Sequence, residues 1–346
     1  MRIGIRGWLM GGITTLWCSL AAAGSAPAHT SWPLVIDNCG HQVTLDRPPE
    51  RVVTLGQHET ELFLALGLDD RMAGTGVWFG PLPERLATRG RDIPRLSDNA
   101  PSLEAVAARR PDFVAAQYTY HLGPHGEVAT RHQFEELGIA TWVSPSDCIG
   151  KQVTDTSNSD GARVRPFTMA QILLEIRQLA RIFDVPARGE ALGRALEERI
   201  RKARQQAASL PEKAPLKVVY WFSSPRLQGD AWVAGNMGAP AWINRELHLE
   251  NVIDSTQEWP TVSWERIAAA DPDIIVLADM ERRLYPADDI AQKLAFLRAD
   301  PVTRELRAVR NNHVVIVPAQ SLNPSLRVVD ALERISQALP DIAPAS

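Results

Sequence analysis

The sequence predicts an α/β protein with two lobes, each a mostly parallel sheet flanked by helices, joined by one long bridging helix. Short apolar runs of strand length alternate with segments of helical periodicity in both halves of the chain, a pattern typical of parallel sheets covered by helices. One helix–turn–strand unit occurs once in each half. A long amphipathic helix separates the halves, and 346 residues are enough for two cores.

The first segment predicts export. Arg2 and Arg6 precede an uncharged apolar run over residues 8–23, and Ala26-Pro27-Ala28 has the small-residue pattern of a cleavage site. The run is short for a membrane span. We therefore expect a signal peptide over residues 1–28, cleaved near Ala28, and a periplasmic mature protein.

The N-terminal lobe is predicted over residues 29–185. Its segments are a hairpin, then alternating strands and helices, then a polar loop and a last helix. The predicted strands are 34–37, 42–45, 51–55, 72–76, 113–116 and 141–143, and the predicted helices are 59–66, 103–109, 127–137 and 168–183. Gly56 and Gly67 end the third strand and the first helix.

The bridging helix is predicted over residues 186–209. Pro186 suits the first turn of a helix, and an apolar stripe runs along one face among charged residues. That stripe consists of Leu192, Leu196 and Ile200. A helix of this length reaches roughly 35 Å, which is enough to join two lobes. An ordinary long surface helix is the alternative.

The C-terminal lobe is predicted over residues 210–346, where strands and helices alternate again after Pro211. The predicted strands are 217–222, 273–278 and 314–317, and the predicted helices are 241–247, 264–270, 289–297, 301–309 and 326–339.

The repeated unit is the most informative local pattern. Residues 102–115 and 263–276 align without a gap, and six of the fourteen positions are identical. Each copy predicts a helix, a Pro-Asp turn that ends it, and a buried strand. Ser102 and Ser263 suit the N-caps of the two helices. The recurrence predicts two lobes of similar design.

Composition and motifs exclude several classes of function. The net charge of −4 argues against a nucleic-acid partner. The sequence contains no phosphate-binding loop, nucleophile elbow or dinucleotide fingerprint, so we expect neither enzyme activity nor a cofactor. His58, His121 and Asp279 could contribute to a bare-metal site. No histidine follows the strand predicted over residues 217–222, however, and we predict no metal site.

Motifs along most of the predicted mature chain then point to a family. They are Val35 to Gly40, Pro48 to Val53, both repeat copies, the bridging helix, Ala234 to Gly238, and the closing strand that ends at Pro318. In this order they resemble the substrate-binding proteins of iron-siderophore, haem and cobalamin ABC importers, whose two lobes are joined by one long helix.

This resemblance implies a monomeric periplasmic protein that captures a small-molecule metal chelate and delivers it to the membrane subunits of an ABC importer. An iron chelate of the ferric-siderophore kind is the leading ligand, and a corrinoid or haem is the alternative. A bare metal ion is less favoured. A periplasmic receptor or sensor subunit is the alternative role.

Two cysteines remain after the predicted cleavage, Cys39 and Cys148. An oxidising compartment favours a disulfide, and two free thiols are the alternative. The chain is similar to a branch of the family with Asn-Cys-Gly early and a second cysteine after the strand 141–143. That similarity implies a Cys39–Cys148 bridge.

The resemblance also implies two docking residues. In the family, one outward-facing glutamate on each lobe pairs with arginines of the membrane transporter. The matching positions here are Glu104 and Glu265, the third residue of each repeat copy. Charges of this kind mainly set orientation and association rate. Stabilisation of the helix dipole alone is the alternative.

The ligand cleft is predicted between the lobes, because ligands of open α/β sheets lie beyond the carboxyl ends of the strands. Flat aromatic side chains there suit a large, partly apolar chelate. The predicted contacts are Gln57, His58, Trp78, Tyr118 and Tyr120 in the first half, and Trp221, Arg226, Trp232, Asn236 and Trp259 in the second. The other residues predicted at strand ends facing the cleft are Phe79, Asn99, His121, Phe222, Met237, Asp279 and Gln320. Core packing is the alternative for each tryptophan, and a surface position is the alternative for Arg226.

Overall fold

The computed structural model describes residues 1, 29–123, 126–152, 161–209 and 215–342. The predicted signal peptide therefore lies outside the described residues, apart from Met1. In the described part of the chain, no helix combines the length and the apolar character that a membrane crossing requires.

Strands and helices alternate along both halves, as predicted. The strands are β1 (Leu34–Asn38), β2 (His41–Leu45), β3 (Val52–Leu55), β4 (Met72–Gly76), β5 (Arg95–Ser97), β6 (Phe113–Ala116), β7 (Ala140–Val143), β8 (Lys151–Gln152), β9 (Ala162–Arg163), β10 (Lys217–Ser223), β11 (Ala231–Val233), β12 (Glu250–Asn251), β13 (Thr261–Val262), β14 (Ile274–Asp279) and β15 (Val314–Pro318). The helices are α1 (Gln57–Ala65), α2 (Glu84–Gly90), α3 (Leu103–Ala107), α4 (Arg131–Glu136), α5 (Pro145–Cys148), α6 (Met169–Ile182), α7 (Pro186–Ala208), α8 (Ala239–Leu247), α9 (Trp264–Ala270), α10 (Ile290–Ala299), α11 (Arg307–Arg310) and α12 (Val328–Ile342).

The first lobe is built on a parallel sheet with the strand order β5-β4-β3-β6-β7. All four neighbouring pairs run parallel. Every residue of β3 and β6 is buried, as expected for central strands with helices on both faces. The carboxyl ends of all five strands therefore lie along one edge of the sheet.

Gly56 links β3 to α1 at a position that only glycine suits. Its φ is 122°, and a Cβ atom there would lie 2.3 Å from the Cβ of Gln117. The glycine lets α1 start directly after the strand. Gln57 and the residues after it are thereby brought to the carboxyl edge of the first sheet.

The second lobe is built on a mixed sheet with the order β13-β11-β10-β14-β15, and β12 pairs with the start of β10. Its core is the parallel trio β10, β14 and β15. The short strands β11 and β13 add an antiparallel edge beside β10. The sequence reading missed these two strands, together with α2 and β5, because each is only two to seven residues long.

The two repeat copies have the same local structure, as predicted. Ser102 and Ser263 each cap a helix through the hydroxyl oxygen, which accepts a backbone N–H three residues on. Each helix leads to the central region of a sheet through a residue with positive φ. These residues are Arg110 at 49° and Asp271 at 44°.

The aspartate of each Pro-Asp turn ties the turn to the neighbouring strand. The Asp112 carboxylate accepts backbone N–H groups of Glu50 and Arg51 at 2.8 and 2.9 Å, at the start of β3. The Asp273 carboxylate accepts the N–H of Lys217 at 2.9 Å, at the start of β10. The repeat therefore fixes the entry of a central strand in each lobe.

The long helix α7 joins the lobes. It packs against α6 on one side and against α8 and α12 on the other. At Gly189 the helices α6 and α7 come so close that a Cβ atom would lie 2.5 Å from the Cβ of Ala180. The lobe limits at residues 185 and 210 stay predictions.

The N-terminal hairpin β1–β2 is clamped to the first lobe by the predicted disulfide, which joins Cys39 to Cys148 across 109 residues of sequence. Asn38 supports the clamp, since its side chain donates to the Val143 carbonyl at 2.7 Å and accepts the Val143 N–H at 2.8 Å. Closing so long a loop stabilises the fold by about 2–5 kcal/mol.

Two predicted helices differ from the structure. The helix predicted over residues 127–137 begins only at Arg131, because Thr130 and Gln133 form a capping box that starts the helix there. The segment predicted as one helix over 301–309 is a 3₁₀ turn followed by α11. Leu306 separates the two with extended backbone angles of −57° and 137°.

Candidate functional site

A cleft of about 420 Å³ lies between the lobes, where the carboxyl edges of the two sheets face each other. Both lobes line it. The first lobe contributes Phe79, Gly80, Pro81 and Tyr118, and the second contributes Phe222, Ser223, Trp232, residues 279–282, Leu284, Tyr285 and Asp288. The chain that follows β15 closes the back of the cleft with Pro318, Ala319, Gln320, Asn323 and Arg327.

Aromatic side chains form the walls of the cleft. The Phe222 ring lies 4.6 Å from the Trp259 ring, which supports it from behind. Trp232 meets Tyr285 edge to face at 5.3 Å, and the neighbouring Leu284 is 71% exposed. Side chains of this size and exposure at a concave surface suit a flat or bulky, partly apolar ligand.

Gln57 fixes the first-lobe wall from behind. Its side-chain amide donates to the Gly80 carbonyl at 3.0 Å, and its side-chain oxygen accepts the N–H groups of Phe79 and Gly80 at 2.9 and 3.1 Å. The side chain itself is buried. Gln57 therefore positions the Phe79–Gly80 segment, although it does not line the cleft.

The second-lobe wall is held by Asp288. Its carboxylate accepts the N–H groups of Leu284 and Tyr285 at 2.7 and 2.9 Å and the hydroxyl of Ser223. These contacts fold the segment 279–288 back onto the end of β10. The same aspartate thus sets the orientation of the exposed Leu284–Tyr285 rim.

Lys293 lies fully buried beneath this wall. Its ammonium donates to the carbonyls of Phe222 and Ala278, both at 2.6 Å, and so connects the ends of β10 and β14. Burial lowers the pKa of Lys293 to about 7, while Asp288 and Asp279 act in the opposite direction. The lysine therefore braces the cleft wall with only part of a positive charge at neutral pH.

A buried ion pair joins the lobes behind the cleft. The Glu61 carboxylate accepts the Arg327 Nε–H at 2.9 and 3.0 Å, and the same guanidinium also donates to the Pro81 carbonyl at 2.7 Å. Both side chains are at most 9% exposed. This contact ties the segment after β15 to α1 and to the first-lobe wall.

A second buried group contains His58, Glu59 and Glu175, whose ligand atoms lie within 4.8 Å of one another. Among the described residues, Glu175 is the hydrogen-bond partner of the Glu59 carboxyl group, and no N–H or hydroxyl group reaches either Glu59 oxygen. Burial raises the pKa of Glu59 well above its usual range and that of Glu175 to about 7. Burial also lowers the pKa of His58. Protons bound to the carboxyl groups therefore reduce the negative charge of this buried group at neutral pH.

The histidine tautomer argues against a metal ion in this group. His58 Nδ1 accepts the backbone N–H of Leu326 at 3.2 Å, so Nδ1 carries no proton. The proton of the neutral ring is then on Nε2, which donates to Glu175 at 3.0 Å. The nitrogen that faces the carboxylates is thus a donor and has no lone pair for a cation.

Among the ten predicted ligand contacts, Tyr118 and Trp232 line the cleft. Gln57 and Trp259 lie directly behind its walls, and Tyr120 stacks on Tyr118 with ring centroids 5.3 Å apart. Of the other residues predicted at strand ends, Phe79, Phe222, Asp279 and Gln320 line it, whereas Asn99, His121 and Met237 do not.

The expectation for Trp221 is wrong. Its side chain is fully buried against Trp264 and Phe296, with centroids 4.7 and 5.9 Å away, and the indole N–H donates to the Ser223 carbonyl. Neighbouring side chains of a strand point to opposite faces, so the adjacent Phe222 takes the cleft position. The sequence located the strand end correctly but not the facing residue.

The remaining predicted contacts lie away from the cleft. His58 is buried, and Arg226 is exposed on a turn. Trp78 lies under the Arg95 guanidinium at 5.5 Å. The Asn236 side chain donates a hydrogen bond to Asp254 and lines a surface depression that is separate from the cleft.

Sequence reasoning missed most of the segment after β14. Met280, Glu281, Arg282, Leu284 and Tyr285 all line the cleft. Only the position of this segment could have identified it in the sequence, because it directly follows a predicted buried strand. Arg282 in addition bridges the lobes, since its guanidinium donates to the Asp98 carbonyl at 2.9 Å and to the Asn99 side chain.

Glu104 and Glu265 are both exposed in the first turns of α3 and α9. Each helix runs antiparallel to the strand that follows it, so its first turn lies at the carboxyl edge of its sheet. The two carboxylates therefore lie at the cleft side of each lobe. Backbone and Ser102 hydrogen bonds lower the pKa of Glu104, which keeps it ionised.

Comparisons with known proteins give one family. Residues 52–321 match the family described as periplasmic binding protein. The cobalamin-binding protein of Halobacterium salinarum is 24% identical over 300 residues, which are 86% of this chain and 71% of that protein.

Two solved structures have the same fold. The ABC-type Fe³⁺-hydroxamate transport system of Saccharomonospora viridis is 25% identical, with a TM-score of 0.68 over 89% of this chain and 99% of that chain. The periplasmic haem-binding protein BhuT, in complex with two haems, is 21% identical, with a TM-score of 0.64 over 85% and 99% of the two chains.

Proposed function

Since the chain belongs to the periplasmic binding protein family, we propose that it captures a metal chelate outside the cytoplasm and delivers it to an ABC importer. The observation that carries this proposal is the aromatic cleft to which both lobes contribute. The protein acts by binding and release, as a monomer, and catalyses no reaction.

The ligand we favour is an iron chelate of the ferric-siderophore kind. The cleft wall is aromatic and apolar with a few charged groups, which suits the organic shell around a chelated metal. The similarity to an Fe³⁺-hydroxamate transport protein supports this choice. A corrinoid is the alternative that the cobalamin-binding relative suggests. Haem is a further alternative, suggested by the similarity of the fold to that of the haem-binding protein BhuT.

A bare metal ion is less favoured. Among the described residues that line the cleft there is no histidine, and borderline transition metals in proteins usually have histidine ligands. In the buried group of His58, Glu59 and Glu175, the histidine nitrogen that faces the carboxyl groups offers no lone pair to an ion, for the reason given above.

Delivery to the importer is assigned to Glu104 and Glu265. One exposed carboxylate on the cleft side of each lobe provides two separated charges that arginines of a membrane subunit can pair with. The export signal predicted over residues 1–28 agrees with this location.

Titration with a panel of chelates tests the proposal. Purified protein is mixed with a ferric trihydroxamate, cyanocobalamin or haem, and Trp fluorescence and calorimetry report binding. We expect saturable binding of at least one chelate at one per chain. Replacing Phe222 and Trp232 with alanine should weaken it at least tenfold, because two aromatic walls are lost.

Leu137→Ala is the matched control, because Leu137 is an exposed apolar residue outside the cleft. Its affinity should equal that of the wild type. Lack of binding by every chelate, or equal binding by the cleft variant, would contradict the proposal.

A further inference from the structure

The charged groups of the cleft are unequally engaged with the protein. Five charged residues line it, namely Asp279, Glu281, Arg282, Asp288 and Arg327. Whether each one already has a partner decides which charges a ligand meets. The sum of their formal charges alone does not decide it.

Both arginines already have protein acceptors. Arg327 pairs with the buried Glu61 and donates to the Pro81 carbonyl. Arg282 donates to the Asp98 carbonyl and the Asn99 side chain on the opposite lobe. Arg327 is thereby neutralised by Glu61, whereas Arg282 spends two of its five N–H donors on neutral acceptors and keeps its charge.

Asp288 is engaged as well, because two backbone N–H groups and the Ser223 hydroxyl use its carboxylate oxygens. The nearby Lys293 spends two of its donors on the Phe222 and Ala278 carbonyls. Its lowered pKa means that it offsets only part of the negative charge around it at neutral pH.

Asp279 and Glu281 are different. Within the part of the chain that the structure describes, neither carboxylate makes a hydrogen bond or an ion pair. Asp279 ends β14 at the cleft wall, and the Glu281 side chain reaches across to Gly80 of the first lobe, where a Cβ atom would lie 3.3 Å from it. Two carboxylates at the cleft thus have free acceptor oxygens.

We infer that the cleft selects neutral or cationic chelates over anionic ones, with Asp279 and Glu281 as the residues that bind a positive charge or N–H donors of the ligand. This inference rests on the proposed function and narrows its ligand class. Tris-catecholate and citrate complexes of iron are disfavoured, because they carry net negative charge into a site where Arg327 is neutralised by Glu61 and the carboxylates of Asp279 and Glu281 have free oxygens.

Three ferric complexes that share one hydroxamate core test the inference. Desferrioxamine B carries a pendant ammonium, its N-acetyl form is neutral at that end, and its N-succinyl form carries a carboxylate. Wild-type affinity should fall in that order, by about five- to tenfold per step at low salt. High salt should reduce the differences in affinity among the three complexes, because partly exposed charges are screened.

The double variant Asp279→Asn, Glu281→Gln should remove the preference for the ammonium form. The ratio of its affinities for the ammonium and N-acetyl forms should approach one, which general damage to the cleft would not produce, because such damage lowers both affinities. Glu305→Gln is the matched control, since Glu305 is an exposed carboxylate of the second lobe outside the cleft.

The outcomes separate the two ideas. If wild-type protein binds none of the three complexes, the iron-chelate function fails and this inference fails with it. If the complexes bind with equal affinity, or the N-succinyl form binds best, only the inference is overturned. It is also overturned if the double variant keeps the full preference of the wild type.

Discussion

At the residue scale, the carboxyl groups of Glu59 and Glu175 are the most unusual feature, because both are fully buried and lie close to each other and to His58. Burial raises the pKa of Glu175 to about 7. A carboxyl group whose pKa is higher in the folded than in the unfolded protein stabilises the fold fully below its unfolded pKa. That stabilisation is lost as the pH rises through about 7.

We therefore predict that wild-type protein loses stability relative to Glu175→Gln between about pH 4.5 and pH 7. The slope of the free energy of unfolding against pH should differ between the two proteins by up to about 1.4 kcal/mol per pH unit, the value for one proton. Urea unfolding at several pH values measures it, with the exposed Glu305→Gln as control. If the free energies of unfolding of the wild type and of Glu175→Gln change with pH in parallel, Glu175 does not hold a proton in the folded protein.

The buried pair of Glu61 and Arg327 gives a second prediction at this scale. Glu61→Gln leaves the Arg327 guanidinium buried without its counter-charge, so the free energy of unfolding should fall by about 3–5 kcal/mol. Glu333→Gln breaks the more exposed pair with Arg199 and should cost at most about 1 kcal/mol. Equal losses in the two variants, measured by chemical denaturation, would contradict the role of burial.

At the element scale, the contact between α6 and α7 decides how the bridging helix is seated. Gly189→Ala should destabilise the protein by about 1–3 kcal/mol, because the new methyl group would overlap Ala180. Gly193→Ala on the same helix meets Leu173 only at 3.7 Å. It should therefore be neutral or add up to about 1 kcal/mol through helix propensity.

Thermal and urea unfolding of both variants check this prediction. A stabilising Gly189→Ala would mean that α6 and α7 do not pack as closely as described. The helix α7 would then lack its main packing contact with the first lobe, which its bridging role requires.

The elements also indicate which features a sequence can predict. Strands such as β4 and β6 were predicted to the residue. Gly76 marks the end of β4, and Pro111 and Asp112 mark the start of β6. The repeat gave the helix caps and the Pro-Asp turns in both lobes. Short edge strands such as β11 and β13 have too few residues for a recognisable period.

The cleft was less predictable than the sheets, and the reason is geometric. The end of a strand can be read from sequence, but which of two adjacent side chains faces the ligand depends on a register of one residue. Trp221 and Phe222 differ only in this respect. The engagement of Arg282 and Arg327 depends on contacts between residues more than 180 positions apart, which no local pattern indicates.

At the scale of the whole molecule, the two glutamates proposed for docking, Glu104 and Glu265, lie one on each lobe. The double reversal Glu104→Lys, Glu265→Lys should abolish uptake of the bound chelate in cells, because both charges proposed to face the importer change sign. Chelate affinity of the purified variant should not change, since neither residue lines the cleft.

Glu136→Lys with Glu305→Lys is the matched control, with one exposed carboxylate reversed on each lobe outside the repeat helices. Its uptake should stay near the wild-type level. Normal uptake by the Glu104 and Glu265 variant would instead favour a sensing role or another docking surface.

The central claim is that the cleft between the two lobes holds a metal chelate. A crystal structure of the protein grown with a chelate that binds in solution tests it most directly. The account predicts one chelate per chain, in contact with Phe222 and Trp232 of one lobe and with Phe79 and Tyr118 of the other. A chelate bound anywhere else on the chain, with this cleft empty, would contradict the account.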